Sequence, residues 1–203
     1  MADNGPTVRD HLQLLGKFLR HPRTIGAVAP SSAALAREMV TLVGQGDAER
    51  VAELGPGTGS FTREIVGRLG SRGRLLAVEL DAAFVEGIRR RWPAVECVCA
   101  SAEALPELAA ARGLLPVDRI VSGLPFASLP EATTRTILDG IERSLRPAGT
   151  FTTFQYVHAY ILPPAVAFRR ELTRRMGAPP KATLVIRNVP PAWVLTWQRP
   201  PAC

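Results

Sequence analysis

The sequence predicts an α/β fold, a mostly parallel sheet of seven strands covered by helices on both faces and completed by an antiparallel C-terminal hairpin. Three observations predict it. Short apolar runs alternate with helix-like segments along the chain. A glycine-rich loop follows the first run, Val51-Ala52-Glu53-Leu54. Two strand-like runs flank Asn188-Val189-Pro190-Pro191-Ala192, which reads as a tight hairpin connection.

The elements follow in order. Strands are expected at 50–54, 74–80, 95–100, 118–122, 149–156, 182–188 and 192–198. Helices are expected at 7–20, 31–43, 59–69, 82–91, 102–111, 130–144 and 163–176, with Pro93, Pro116 and Pro147-Ala148-Gly149 marking connections. The segment 7–20 is amphipathic: Val8, Leu12, Leu15 and Leu19 recur at helical spacing, with Leu14 and Phe18 widening the stripe. Arg9, His11, Lys17, Arg20, His21 and Arg23 take the other faces or the exit, so residues 1–30 read as a membrane-associating segment and 31–203 as the main domain.

Composition narrows the class. A chain of 203 residues with 46% hydrophobic content can bury one full core. No apolar run reaches the roughly 20 residues of a membrane span, and no signal-peptide core is expected. Cys97 and Cys99 alternate in a strand and read as small core residues; with Cys203 they make no disulfide set, and the three histidines lie elsewhere, so no metal is expected. These features point to a reducing, cytoplasmic location. The net charge is +7, and from Ile141 onward nine Lys/Arg face two acids, so the whole surplus lies there. Arg169, Arg170, Arg174 and Arg175 form either a solvated helix face or a surface attractive to a polyanion.

The loop Glu53-Leu54-Gly55-Pro56-Gly57-Thr58-Gly59 carries the chemistry. It lacks the Gly-Lys-Ser/Thr of a phosphate-binding loop, and Glu53 would repel a pyrophosphate but suits a cation. Glu79 ends the next apolar run, 20 residues after Gly59, where a carboxylate meets ribose hydroxyls. Glu-x-Gly-x-Gly-x-Gly followed by a ribose acid resembles the class I, Rossmann-like S-adenosylmethionine-dependent methyltransferases. By that resemblance Glu53, Gly55, Gly57, Thr58 and Gly59 face the methionine end of S-adenosylmethionine, and Glu79 and Leu80 face the ribose. Ser101 and Ala102, within Cys99-Ala100-Ser101-Ala102-Glu103, then lie against the adenine.

The fourth strand ends in Ser122-Gly123-Leu124-Pro125-Phe126 and should border the transferred methyl. This resembles the Asn-Leu-Pro-Tyr element of adenine N6-methyltransferases, with Gly123 in place of the amide and Phe126 in place of tyrosine. An aliphatic amine is a nucleophile once deprotonated and needs no such amide. The run from Phe18 to Ser32, the glycine loop, Gln155-Tyr156 and Asn188-Val189-Pro190-Pro191-Ala192 together resemble bacterial phospholipid N-methyltransferases, which methylate phosphatidylethanolamine towards phosphatidylcholine. The resemblance implies a peripheral enzyme at the inner face of the cell membrane, with phosphatidylethanolamine and anionic lipids as partners rather than nucleic acid. It groups Gly123 with the cofactor. Leu124, Tyr156 and His158 are then catalytic; Tyr156, His158 and Tyr160 are the candidate proton acceptors, with Tyr156 and His158 favoured near the head group. Arg23, Ser31, Ser32, Pro125, Phe126 and Tyr160 would hold the substrate, with Arg23 and the serines donating to the lipid phosphate or a serine capping the next helix. Two alternatives stay open: an RNA adenine N6-methyltransferase, argued by the basic C-terminal third, and a noncatalytic binding module on the same fold.

Overall fold

The computed structural model describes residues 32–202. The expected helix 7–20, Arg23, Ser31 and the segment boundary at residue 30 lie outside the described residues. Helix α1 (Ala33–Met39) is followed by β1 (Arg50–Leu54), α2 (Ser60–Val66), β2 (Arg74–Glu79), α3 (Ala82–Arg91) and β3 (Glu96–Cys99). Then come α4 (Leu105–Ala110), β4 (Val117–Ser122), α5 (Glu131–Ser144), β5 (Leu145–Tyr156) and α6 (Val157–Tyr160). Helix α7 (Pro163–Met176) and strands β6 (Lys181–Val185) and β7 (Ala192–Gln198) close the chain.

The seven strands form one sheet in the order β3-β2-β1-β4-β5-β7-β6. The first five run parallel, and β7 inserts antiparallel between β5 and β6. Strand order reverses between β1 and β4, so their carboxyl ends open the crevice where ligands bind in doubly wound sheets. Two apolar cores flank the sheet, because successive side chains of each strand point to opposite faces. One packs Leu35, Met39, Phe61, Ile65 and Ile88 against Val51, Leu75 and Ala77. The other packs Leu105, Leu138, Ile141, Phe168 and Leu172 against Ala52, Leu54, Ile120 and Phe151.

Departures from the expected elements have local causes. The segment 102–111 splits into a 3-10 turn at Ala102–Ala104 and α4, since Pro106 suits the first turn of a helix and not its interior. Strand β5 begins earlier than expected, at Leu145, and absorbs Pro147-Ala148-Gly149 through a register shift against β4. Strand β6 stops at Val185, where pairing with Ala192 ends, leaving 186–191 as the connection. The short α6 was not foreseen, four residues being too few to show a helical period. Cys97 is buried as expected, but Cys99 is exposed: it ends β3, beyond the helices that cover the strand's middle.

Candidate active site

The glycine loop leaves β1 and enters α2 at the carboxyl edge of the sheet. Its backbone is tied down by Gly55 N–H to the Val78 carbonyl at 2.9 Å and Gly59 N–H to the Pro56 carbonyl at 2.9 Å. Gly57 has φ +53°, and a Cβ there would meet nothing within 4 Å, so the protein itself does not crowd this position. The open side of Gly57 is a cradle that a ligand can approach to backbone distance. Its N–H donates to Glu79 Oε2 at 2.9 Å.

Glu79, buried at the end of β2, also receives the N–H groups of Leu80 (2.7 Å) and Asp81 (3.0 Å) on Oε1. A carboxylate offers about four lone-pair sites, so Oε2 can still accept a hydroxyl. Glu53 is 0% exposed. Its Oε2 accepts the Thr62 hydroxyl at 2.7 Å. Its Oε1 has no hydrogen-bond partner among the described residues. Burial pushes its carboxyl up to about 8, with Thr62 opposing and the charge of Glu79 reinforcing. A buried carboxylate with one uncommitted oxygen beside an open glycine fits a cationic ligand, which would stabilise its ionised form.

At the end of β4, Gly123 is a steric necessity. A Cβ there would lie 2.7 Å from the Gly55 carbonyl oxygen, so the two loops touch through backbone. Leu124 packs over Gly55 and donates its N–H to Ser122 Oγ at 3.3 Å. The Leu124 carbonyl accepts the Phe126 N–H at 3.0 Å. From the loop an aromatic series runs outward: Phe61 meets Phe154 (6.0 Å between ring centres), Phe154 meets Tyr156 (5.3 Å), and Tyr156 stacks on His158 (5.6 Å, 8° between planes). Because Ser122 pairs with Thr153, Tyr156 stands three residues further along, about 10 Å beyond the end of β4. Burial pushes the Tyr156 phenol up to about 12.

The structure gives each remaining expected site residue a partner or place within the chain. The Phe126 ring, expected against the substrate, is buried and stacks on Phe168 at 4.5 Å, because the 3-10 turn at Phe126–Ser128 folds it into the core. Ser32, expected at a phosphate, is the cap of α1: its hydroxyl accepts the Leu35 N–H at 3.2 Å and its own N–H donates to Asn188 Oδ1 at 3.0 Å. Thr58 is exposed, and Arg91 takes its carbonyl at 2.8 Å. Ser101 caps the turn after β3 and bonds Glu103 at 2.9 Å, and Ala102 packs beside it against the core. The Tyr160 ring lies between Trp193 (5.7 Å) and the Arg169 guanidinium (3.7 Å). Pro125 begins the turn that buries Phe126.

Sequence reasoning missed Thr62, which orients Glu53, and Asn188, which ties the hairpin loop to α1. Thr62 could have been found: it lies in the first turn of the helix after Gly59, where a short hydroxyl reaches back to the strand. Asn188 could not, since its partner lies 156 residues away.

A glycine cradle at the β1 exit, a ribose-compatible acid ending β2 and the sheet order define the class I S-adenosylmethionine-dependent methyltransferases, and the chain belongs to that family. S-adenosylmethionine is its cofactor. Residues 51–149 match the family described as a methyltransferase domain. The chain is 33% identical over 147 residues to the ornithine lipid N-methyltransferase of Singulisphaera acidiphila, covering 71% of this chain and 77% of that protein. It is 35% identical over 91 residues to ribosomal RNA small subunit methyltransferase A of Burkholderia ambifaria, covering 43% of this chain and only 33% of that one. Among solved structures, the O-methyltransferase TomG of Streptomyces achromogenes, in complex with S-adenosylmethionine, superposes with a TM-score of 0.64 at 18% identity, covering 94% of this chain and 90% of that one. At that identity it shares the fold alone.

Proposed function

We propose that the protein transfers methyl groups from S-adenosylmethionine to the aliphatic amine of a membrane-lipid head group, with phosphatidylethanolamine and its mono- and dimethyl forms as substrates towards phosphatidylcholine. Ornithine lipid offers the same kind of amine, and the similarity to an ornithine lipid N-methyltransferase supports the lipid-amine class. The observation that carries the reading is Gly123. Where adenine N6-methyltransferases hold the planar exocyclic amine with a side-chain amide, this chain has no room for even a methyl group beside the Gly55 carbonyl. Within the basic C-terminal third, two of the four clustered arginines are paired with acids of the chain. Arg175 pairs with Asp139, Glu142 and Glu171, and Arg174 with Glu171.

Bound S-adenosylmethionine supplies an electrophilic methyl on sulfonium. A neutral amine would take that methyl, C–N forming as C–S breaks and S-adenosylhomocysteine leaving, so the chain must also provide for the proton carried by the amine. Glu53 and the Gly57 backbone position the cationic end, Glu79 Oε2 the ribose, and Gly123 and Leu124 border the methyl, so the reaction is chiefly one of alignment. Of the stacked pair at the outer end of the aromatic series, Tyr156 keeps its proton and lends a ring face to the head-group cation. His158, beside it at that outer end, takes the proton by way of water. Among the described residues no helix is long and apolar enough to cross a membrane.

The test incubates protein and methyl-labelled S-adenosylmethionine with vesicles containing phosphatidylethanolamine, vesicles containing ornithine lipid, and RNA. Label in a lipid amine is expected, and the lipid that takes it fixes the head group. Label confined to RNA, or none in any arm with the cofactor bound, would refute the proposal.

A further inference from the structure

The chain leaves the sheet twice at the outer end of the site, and both exits carry bare apolar side chains. Beyond β5, Val157, Ile161 and Leu162 are exposed; between β6 and β7, so are Ile186 and Val189. Ile161, Ile186 and Val189 are 80%, 71% and 82% exposed. Tyr156 pairs with Ala192, and Val157 donates its N–H to the Pro191 carbonyl at 2.9 Å, so the two segments lie side by side. They adjoin Tyr156 and His158, where the aromatic series from the glycine loop emerges.

The segments that form this rim carry charge of one sign. Residues 155–170 and 177–198 contain no aspartate or glutamate, whereas Arg169, Arg170, Lys181 and Arg187 lie within them. Arg187 stands between Ile186 and Val189 and is exposed. Large apolar side chains held out of the core and mixed only with cations would weaken solubility without return. They suit one environment, the interface of an anionic bilayer, where apolar groups enter the acyl boundary and each nearby cation gains attraction.

We propose that the rim formed by 157–162 and 186–191 is a bilayer-docking surface, seating the outer end of the active site on an anionic membrane independently of residues 1–31. This rests on the lipid-amine reading, but it is tested by binding. The variant Ile161→Ser/Ile186→Ser/Val189→Ser and wild type are compared for partition onto phosphatidylglycerol–phosphatidylcholine vesicles, for S-adenosylmethionine binding, and for methylation of a short-chain phosphatidylethanolamine below its critical micelle concentration and in vesicles. The expected result is a loss of partition of at least about tenfold. Vesicle methylation should fall in parallel, with cofactor binding and turnover of the monomeric lipid unchanged. Arg187→Glu should weaken partition onto anionic vesicles and not onto neutral ones. Unchanged partition in the triple variant overturns the proposal, as does an equal loss on monomeric lipid. If the triple variant loses cofactor binding, the three single substitutions carry the same test. Failure of wild type to methylate any lipid amine while these substitutions still abolish partition would sink the functional reading alone.

Discussion

Two buried glutamates four residues apart, Glu49 and Glu53, sit at opposite ends of β1 and are treated in opposite ways. At the amino end, Glu49 Oε1 accepts Arg119 Nε at 3.0 Å and Oε2 accepts the Gly44 N–H at 2.7 Å. Arg119 in turn reaches Thr150 and Gln45. Charge and hydrogen-bonding capacity are matched within the chain. At the carboxyl end, Glu53 has one hydroxyl and no cation from the described residues. A charge buried without a counter-charge is costly, so the acid is held neutral until something other than the chain completes it. The sheet therefore has a structural end and a reacting end, distinguishable by whether its buried acids are satisfied.

Removing each carboxylate in turn should separate the two ends. Glu49→Gln leaves the Arg119 guanidinium nearly buried without its counter-ion, and the largest effect is expected here: a loss of about 3 kcal/mol in unfolding free energy, read by urea denaturation, with cofactor affinity unchanged. Glu53→Gln should do the reverse. It removes an acid that burial disfavours while keeping an acceptor for Thr62, so stability should hold or rise. Affinity for S-adenosylmethionine, measured calorimetrically, should fall on the order of a hundredfold, the value of a charge-assisted contact in a desolvated site. Equal effects of the two substitutions on stability and on binding would erase the distinction between the ends.

The reacting end was more legible in sequence than its outer rim. Glu53, the glycine loop and Glu79 are local signals, fixed by strand ends and by spacing, and the structure brings them together through parallel pairing of β1 and β2. Their ligand contacts remain expectations drawn from the family. The burial of Phe126 was not legible because it depends on a partner remote in sequence, Phe168, and the same holds for the bond that ties Ser32 to Asn188. Gly123 looked like a departure from a motif; only the position of the Gly55 carbonyl gives it a steric cause. The alternation of Cys97 and Cys99 marked both for the core, and only Cys97 is buried, because alternation does not show where the covering layer ends.

A last contrast between the glutamates concerns protons. Burial pushes the Glu53 carboxyl up to about 8 in the folded protein, from 4.5 for an ordinary glutamate. With the folded value raised, the neutral form favours folding, and that contribution is present below about 4.5 and lost as pH rises through about 8. The cofactor-free protein should thus lose stability across this window. A cationic cofactor prefers the ionised form, so its binding at pH 7 should release protons. Calorimetry in buffers of different ionisation enthalpy should register that release. Affinity should gain up to about tenfold between pH 7 and pH 9, as a group titrating at 8 becomes ionised. The amino group of S-adenosylmethionine titrates in the same range, so the comparison that counts is with Glu53→Gln, whose pH profile contains the ligand's proton and lacks the carboxyl's. Superimposable profiles for wild type and Glu53→Gln would mean that Glu53 is ionised before the cofactor arrives, and that the reacting end holds its charge as securely as the structural end does.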